Sequence, residues 1–183
     1  MEITAYVFFA EGFEEIEALT IVDVLRRAEI KTEMISINNQ REVVGAHKIS
    51  VLTDNFIESI DFNNATILIL PGGMPGATNL SKNQILQDAL IHHNNINKYI
   101  GAICAAPFIL GDLNILLEKE ATCYPGYEKY LKGAIVKNEN VVISKNIITG
   151  NGAGSALEFS FAIVSIFKGE IFAKDLAKKM MAT

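Results

Sequence analysis

The segment Tyr99–Pro107 reads YIGAICAAP: an apolar run stops at a cysteine, and small residues then lead into Phe108-Ile109-Leu110. This pattern is typical of a buried strand that turns sharply into a helix, with the thiol at the corner. A thiol in that place lies over backbone N–H groups at the positive end of a helix, which favours the thiolate and predicts a pKa for Cys104 below that of a free cysteine. The alternative is a buried cysteine that acts as a small hydrophobic residue.

Apolar runs alternate with helical patterns along almost the whole chain, which is typical of βαβ units. The predicted strands are 3–9, 33–37, 66–70, 99–103, 141–144 and 147–149, with a less regular hairpin over 43–53. The predicted helices are 14–28, 81–94 after a capping-box pattern at Ser81, a helix after Pro107, 155–167 after a second such pattern at Ser155, and 170–181. We therefore predict an α/β fold: one domain over 1–183 with a doubly wound, mostly parallel sheet and helices on both faces.

The composition is that of a globular domain, with 50% hydrophobic and 20% charged residues. A net charge of −5 and the lack of a lysine and arginine block argue against nucleic acid as a partner. No apolar run is long enough to predict a membrane span, and the N-terminal segment lacks the basic region of a signal peptide. Cys104 and Cys123 have neither metal-type nor disulfide-framework spacing, so we expect a cytoplasmic protein in a reducing compartment, without metal.

The chemistry-bearing residues follow predicted strands. Glu17 comes after the first strand, Gly72 and Gly73 after the strand over 66–70, and Cys104 after the strand over 99–103. Ligands bind beyond the carboxyl ends of strands in open sheets of this kind. A cysteine nucleophile that attacks a carbonyl needs N–H donors for the oxyanion, and the amides of Gly72, Gly73 and Ala105 are candidates. By itself, Pro-Gly-Gly is more typical of an ordinary strand-to-loop turn than of a binding site.

Three carboxylates, Glu14, Glu15 and Glu17, fall in the first turn of a predicted helix, where the helix dipole favours them without any catalytic purpose. Glu17 is the candidate for an inward position, and Glu14 and Glu15 are expected to face solvent. Burial and a neighbouring thiolate both raise the pKa of a carboxyl group. We therefore expect Glu17 to be protonated and to hydrogen-bond the sulfur of Cys104.

Five ordered motifs resemble the ThiJ/PfpI superfamily, and most closely its branch that includes the Parkinson's-associated protein deglycase. The motifs are AEGFEEIE at 10–17, LPGG at 70–73, GATNL at 76–80, AICAAP at 102–107 and GAGSALEF at 152–159. The resemblance covers almost the whole chain. It implies a flavodoxin-like homodimer in which Cys104 is the reactive cysteine, Glu17 its protonated partner, and the amides of Gly72, Gly73 and Ala105 the nearby donors.

Three positions depart from members of that superfamily. PfpI-like peptidases carry a histidine directly after the cysteine, where this chain has Ala105, so peptidase or amidase activity is the least favoured reading. Tyr124 stands where human-like members place a histidine near the cysteine, and Asn151 where they place an arginine. Tyrosine does not titrate near neutral pH. Tyr124 and Asn151 remain candidate substrate-binding residues.

The resemblance implies an enzyme that acts on a small reactive 2-oxoaldehyde or a glycated adduct through Cys104, as a glutathione-independent glyoxalase or a protein deglycase, without a cofactor. The competing hypothesis is a redox-sensing or stress-response protein whose Cys104 is oxidised without turnover. Other residues have simpler interpretations. Ser155 is expected to cap a helix, Cys123 to end a strand, and His47, His92 and His93 to lie at the surface.

Overall fold

The computed structural model describes residues 2–182, so Met1 and Thr183, the ends of the predicted domain, lie outside the described residues. The strands are β1 Thr4–Phe9, β2 Lys31–Ser36, β3 Glu42–Val44, β4 Ser50–Leu52, β5 Asn55–Phe56, β6 Ile67–Leu70, β7 Tyr99–Ile103, β8 Glu120–Ala121, β9 Ile135–Val136, β10 Val141–Ser144 and β11 Ile147–Gly150. The α-helices are α1 Glu15–Arg27, α2 Gly76–Ser81, α3 Gln84–Asn95, α4 Pro107–Asp112, α5 Ala156–Lys168 and α6 Glu170–Lys179.

Seven strands form the central sheet in the order β10-β11-β7-β6-β1-β2-β5. Every neighbouring pair is parallel except β10 and β11, which form the antiparallel hairpin at one edge. The chain runs outward from β1 to β2 and then returns to β6 on the other side of β1, so the direction of winding reverses between β1 and β6. The predicted α/β class and mostly parallel sheet are confirmed, and this reversal is where such sheets bind ligands.

Two apolar cores cover the faces of the sheet. One packs α2, α3 and α4 against it, and the other packs α1, α5 and α6. The central strand β6 is the sequence ILIL, and all four side chains are buried because alternate residues enter opposite cores. The helices therefore lie on both faces, as predicted, and the carboxyl ends of β1, β6 and β7 meet at one edge of the layers.

Both capping-box predictions are wrong in detail. Ser81 ends α2, a short helix that the sequence analysis missed, and Asn83 caps α3 by accepting a hydrogen bond from the Leu86 N–H at 3.0 Å. Ser155 does precede α5, but its hydroxyl donates to the Gly152 carbonyl at 2.9 Å instead of accepting from the first turn. Within residues 2–182, no helix combines the length and the apolar character that a membrane crossing requires.

Candidate functional site

Cys104 forms the sharp corner between β7 and α4. Its backbone φ is +64°, a left-handed conformation that costs free energy for a residue other than glycine. Two backbone hydrogen bonds hold it there: the Cys104 N–H donates to the Gly150 carbonyl at 2.9 Å, and the Tyr124 N–H donates to the Cys104 carbonyl at 2.8 Å. The corner predicted from the sequence is therefore present, with the thiol partly exposed.

Glu17 lies in the first turn of α1 and is completely buried. Its Oε2 accepts a hydrogen bond from the Gly72 N–H at 2.8 Å. Its Oε1 is buried without a hydrogen-bond partner among residues 2–182, and the nearby Cys104 thiol acts to lower the pKa of the carboxyl group. Glu17 is the inward-facing carboxyl that the sequence analysis expected.

Gly72 makes the approach of these two side chains possible. A Cβ atom at this position would lie 2.7 Å from the Cβ of Cys104 and 2.8 Å from Oε2 of Glu17. No larger residue fits without moving one of them. The Gly72 amide is already bound to Glu17, so it positions the carboxyl group, whereas the N–H groups of Gly73 and Ala105 act to lower the pKa of the Cys104 thiol. The oxyanion role of these amides stays a prediction.

The pKa values of both side chains are raised. Burial raises the pKa of Glu17 to about 7, although the Cys104 thiol and the Gly72 N–H act in the opposite direction. Burial and the charge of Glu17 raise the pKa of Cys104 to about 12, against the lowering effect of the Ala105 and Gly73 N–H groups. The prediction of a lowered thiol pKa is therefore wrong. The pair loses one proton near neutral pH, and the second loss, which leaves two adjacent charges, is displaced far upward.

Tyr124 and Asn151 differ in how they relate to Cys104. Tyr124 is tied to Cys104 through its backbone N–H, and its side chain is 51% exposed. Asn151 follows Gly150, which accepts from the Cys104 N–H, but its own side chain donates to Oδ1 of Asn140 at 3.1 Å. The substrate-binding roles of both residues stay predictions.

Two surface predictions are wrong. Glu15 is buried, where its Oε2 forms an ion pair with Nδ1 of His47 at 2.7 Å. Glu14 caps α1 by accepting a hydrogen bond from the Glu17 N–H at 2.7 Å. The potential metal-binding atoms of Glu14, Glu15 and His47 lie within 4.8 Å of one another, and the ion pair and the helix cap explain why these side chains are close together. His93 is completely buried on α3, and neither ring nitrogen has a hydrogen-bond partner within residues 2–182.

An aromatic cleft that includes Phe108, four residues after Cys104, was missed in the sequence analysis. It has a volume of about 370 Å³ and is lined by Met74, Thr78, Phe108, Asp112, Gly126, Tyr127, Lys129 and Tyr130. The signal that could have revealed it is the spacing of Tyr124, Tyr127 and Tyr130, three residues apart. That spacing places side chains on one side of a chain that winds with about three residues per turn.

Known proteins share both the sequence pattern and the fold. A model described as the DJ-1/PfpI family matches residues 3–166. DJ-1 homolog B of Arabidopsis thaliana is 34% identical over 170 residues, which cover 92% of this chain. The chain spans only 39% of that plant protein's length.

Two further relatives match over most of their length. Glutathione-independent glyoxalase DJR-1.2 of Caenorhabditis elegans is 30% identical over 171 residues, 93% of this chain and 91% of the worm protein. The structure of oxidised DJ-1 from Toxoplasma gondii superimposes with a TM-score of 0.94 at 29% identity and covers 98% of both chains. With a family match over most of its residues and a sheet that winds like those of its relatives, this chain belongs to the DJ-1/PfpI family.

Proposed function

We propose that this chain is a Cys104-dependent enzyme that converts 2-oxoaldehydes, or their adducts, into 2-hydroxy acids without glutathione or another cofactor. The observation that carries the proposal is the buried Glu17 carboxyl group, which the Gly72 N–H holds beside Cys104 and whose pKa burial raises to about 7. A group that titrates near the working pH is suited to take up a proton in one step and return it in the next. The overall reaction adds one water to the 2-oxoaldehyde and needs no oxidant or reductant.

The reaction begins with the pair carrying one proton. The Glu17 carboxylate takes the thiol proton while the Cys104 sulfur adds to the aldehyde carbon, and the Gly73 and Ala105 N–H groups stabilise the oxyanion. Protonation of that oxygen by Glu17 gives a hemithioacetal and restores the carboxylate. The substrate's own ketone lies on the adjacent carbon, so the carbon-bound proton is acidic.

Glu17 then moves that proton. The carboxylate removes the proton from the aldehyde carbon to give an enediolate and returns it to the neighbouring carbon, while the hydroxyl proton passes from the first oxygen to the second. The product is a thioester of Cys104 with a 2-hydroxy acid. Water adds to the thioester carbonyl, the thiol leaves, and the acid is released.

The support from relatives is specific but partial. The worm relative carries the name glutathione-independent glyoxalase, at 30% identity to this chain. The substitution of Ala105 for the histidine of PfpI-like peptidases argues against peptide cleavage, because no imidazole follows the nucleophile. The glyoxalase reaction requires only one proton-transfer group beside the sulfur, and Glu17 is that group.

The direct test measures lactate formed from methylglyoxal by the purified protein in the absence of glutathione. We expect turnover in the wild type and in Cys123→Ser, and its loss in Cys104→Ser. Cys123 is the matched control because it is the other free thiol and lies in the opposite core. Equal lactate formation by the Cys104→Ser variant would contradict the proposal.

A second candidate function is redox sensing at the same thiol. The Toxoplasma relative was solved in an oxidised form. In this chain, the Gly73 and Ala105 amides and a protonated Glu17 surround the Cys104 sulfur and can donate to sulfinate oxygens. If methylglyoxal is not converted but mild peroxide oxidises Cys104 stoichiometrically, the sensor function replaces the enzymatic one.

We also propose that the protein forms a homodimer through the start of α1 and the β3–β4 hairpin. Ile16, Ile49 and Leu52 are 59%, 52% and 64% exposed on these neighbouring elements, which the ion pair of Glu15 and His47 ties together. Exposed apolar side chains that lie close together favour a protein interface. Sedimentation should give a dimer for the wild type and a monomer for Leu52→Glu, whereas a monomeric wild type would contradict this proposal.

A further inference from the structure

We propose that the aromatic cleft binds an aromatic substituent of the substrate, so that the enzyme prefers aryl-substituted 2-oxoaldehydes over methylglyoxal. This inference rests on the proposed function, because it names the substrate class of the same Cys104 site. The cleft is defined by Phe108 of α4 and by Tyr127 and Tyr130 of the following loop, with Met74 on its other side.

Three rings from two parts of the chain form its wall. The Phe108 ring lies 6.4 Å from both the Tyr127 and Tyr130 rings, and the two tyrosine rings lie 5.7 Å apart, measured between centroids. The Tyr124 ring meets Tyr127 edge to face at 6.5 Å and extends the row. Rings at these distances contact one another, and a further ring can pack against their outward faces and edges, since Tyr130 is 40% exposed.

The cleft is connected through its lining residues to the corner that carries Cys104. Phe108 lies four residues after Cys104, in the first turn of α4, and the Tyr124 N–H donates to the Cys104 carbonyl. On the other wall, Met74 follows Gly73, whose amide interacts with the Cys104 sulfur. Residues on both sides of the cleft are therefore fixed to the corner that carries the nucleophile. A substrate whose aldehyde meets Cys104 would extend its substituent along this row of rings.

The wall is preformed. A Cβ atom at Gly111 of α4 would collide with the carbonyl of Tyr130. The backbone of the helix and the backbone of the loop are therefore in direct contact at Gly111. Within the loop, the Tyr127 N–H donates to the Tyr124 carbonyl at 3.0 Å and the Tyr130 N–H to the Tyr127 carbonyl at 2.9 Å. These successive turns fix the rings before any ligand arrives, which reduces the conformational entropy lost on binding.

The size and charge of the cleft select among ligands. Its volume of about 370 Å³ is in the range of small-molecule sites and exceeds what the methyl group of methylglyoxal can fill. Its charged residues already have partners: Asp112 pairs with Lys132 at 2.7 Å, and Nζ of Lys129 lies 4.9 Å from the centroid of the Tyr130 ring. The aromatic surface of the cleft is therefore left to contact a ligand, which favours a neutral ring.

The test compares kcat/KM for phenylglyoxal and for methylglyoxal. We expect the wild type to favour phenylglyoxal and the ratio of the two constants to fall about 10-fold or more in Tyr127→Leu and in Phe108→Leu. Phe172→Leu is the matched control, since Phe172 is a partly exposed phenylalanine on α6, on the opposite face of the sheet, and should leave the ratio unchanged. Equal ratios in the wild type and both cleft variants would overturn the inference.

A binding measurement separates this inference from the proposed function. Benzoylformate carries the ring but no aldehyde, and NMR titration into the Cys104→Ser protein needs no turnover. Saturable binding of benzoylformate that is weakened by Tyr127→Leu would support the cleft as a binding site for the ring. If neither aldehyde is converted, only the proposed function is overturned. Conversion of both aldehydes without benzoylformate binding would overturn only the inference about the cleft. Circular dichroism of each variant checks that it is folded.

Discussion

The Gly72 N–H donates to Oε2 of Glu17 at 2.8 Å, so the loop after β6 holds the carboxyl group that follows β1. The two residues are 55 positions apart in the chain. Their bond crosses the reversal of strand order, between the two halves of the sheet. This bond orients the carboxyl group toward Cys104, which follows a third strand, β7. The site therefore depends on the packing of the carboxyl ends of β1, β6 and β7.

The first prediction concerns Gly72. In Gly72→Ala, the new Cβ atom would lie within 3 Å of both Cys104 and Glu17, so we expect loss of methylglyoxal turnover and a lower melting temperature. Gly154→Ala is the control: no heavy atom lies within 4 Å of a Cβ atom there, and turnover should stay within about twofold of the wild type. An active Gly72→Ala protein would contradict the close approach described here.

The second prediction concerns proton transfer by Glu17. Glu17→Gln keeps the shape of the side chain and removes its transferable proton, so we expect turnover to fall about 100-fold or more. The wild-type rise of kcat/KM with pH, centred near the pair's first pKa of about 7, should also disappear. Glu15→Gln makes the same change two residues away and breaks the His47 ion pair; it should reduce stability while turnover persists.

The third prediction concerns stability. The pKa of Glu17 rises from an ordinary 4.5 to about 7 on folding, so its contribution is fully present below about pH 4.5 and is lost as the pH rises through 7. The 2.5-unit difference corresponds to about 3 kcal/mol at most. Urea titrations at about pH 5 and pH 8 should therefore show a larger fall in unfolding free energy for the wild type than for Glu17→Gln. Identical falls would mean that the carboxyl group is not buried.

The fourth prediction separates the two thiols. Burial raises the pKa of both thiols, to about 12 for Cys104 and about 11 for Cys123, so the pKa does not favour Cys104. The difference is access, because Cys104 is partly exposed and lies beside Glu17, whereas Cys123 is buried. Limited peroxide or iodoacetamide at neutral pH should modify Cys104 first. Peptide mass spectrometry quantifies each site, and earlier modification of Cys123 would show that the reactive cysteine has been misassigned.

The fifth prediction concerns His93, which has no role in the proposed reaction. Burial is the main cause that lowers its pKa from 6.5 to about 4, so the native state loses stability as the pH falls from about 6.5 through 4. His93→Leu removes two unpartnered nitrogens from the core and should raise the unfolding free energy, most clearly at about pH 5. His92→Leu, at the exposed neighbouring position, should change it little.

The sequence predicted the parts of the site that depend on strand ends. The apolar runs locate β1, β6 and β7, and parallel pairing then brings Glu17, Gly72 and Cys104 to one edge. Glu17 was distinguishable from its neighbours because it follows Ile16 and lies near the apolar stretch 19–22. These inferences succeed because they rest on periodicity and chain order, which are properties of the sequence itself.

The errors concern contacts between distant segments. The burial of Glu15 depends on His47, which is 32 residues away in the chain, and the sequence around Glu15 does not predict that partner. The pKa of Cys104 was misjudged because the helix-end effect was considered without the opposing carboxylate and the burial. Asn83, instead of Ser81, caps α3 because the preceding residues form a helix of their own. Each error reflects tertiary packing that outweighs a local preference.

The hydrogen bonds at the corner of Cys104 have a consequence for which neighbouring side chains can be substituted. Both bonds, to Gly150 and from Tyr124, join main-chain atoms, so the position of the nucleophile does not depend on which side chain stands at 124. The rings at 124, 127 and 130 can therefore be exchanged while the reaction centre stays in place. Randomising these three positions in a library should yield new substrate preferences at little risk to the chemistry.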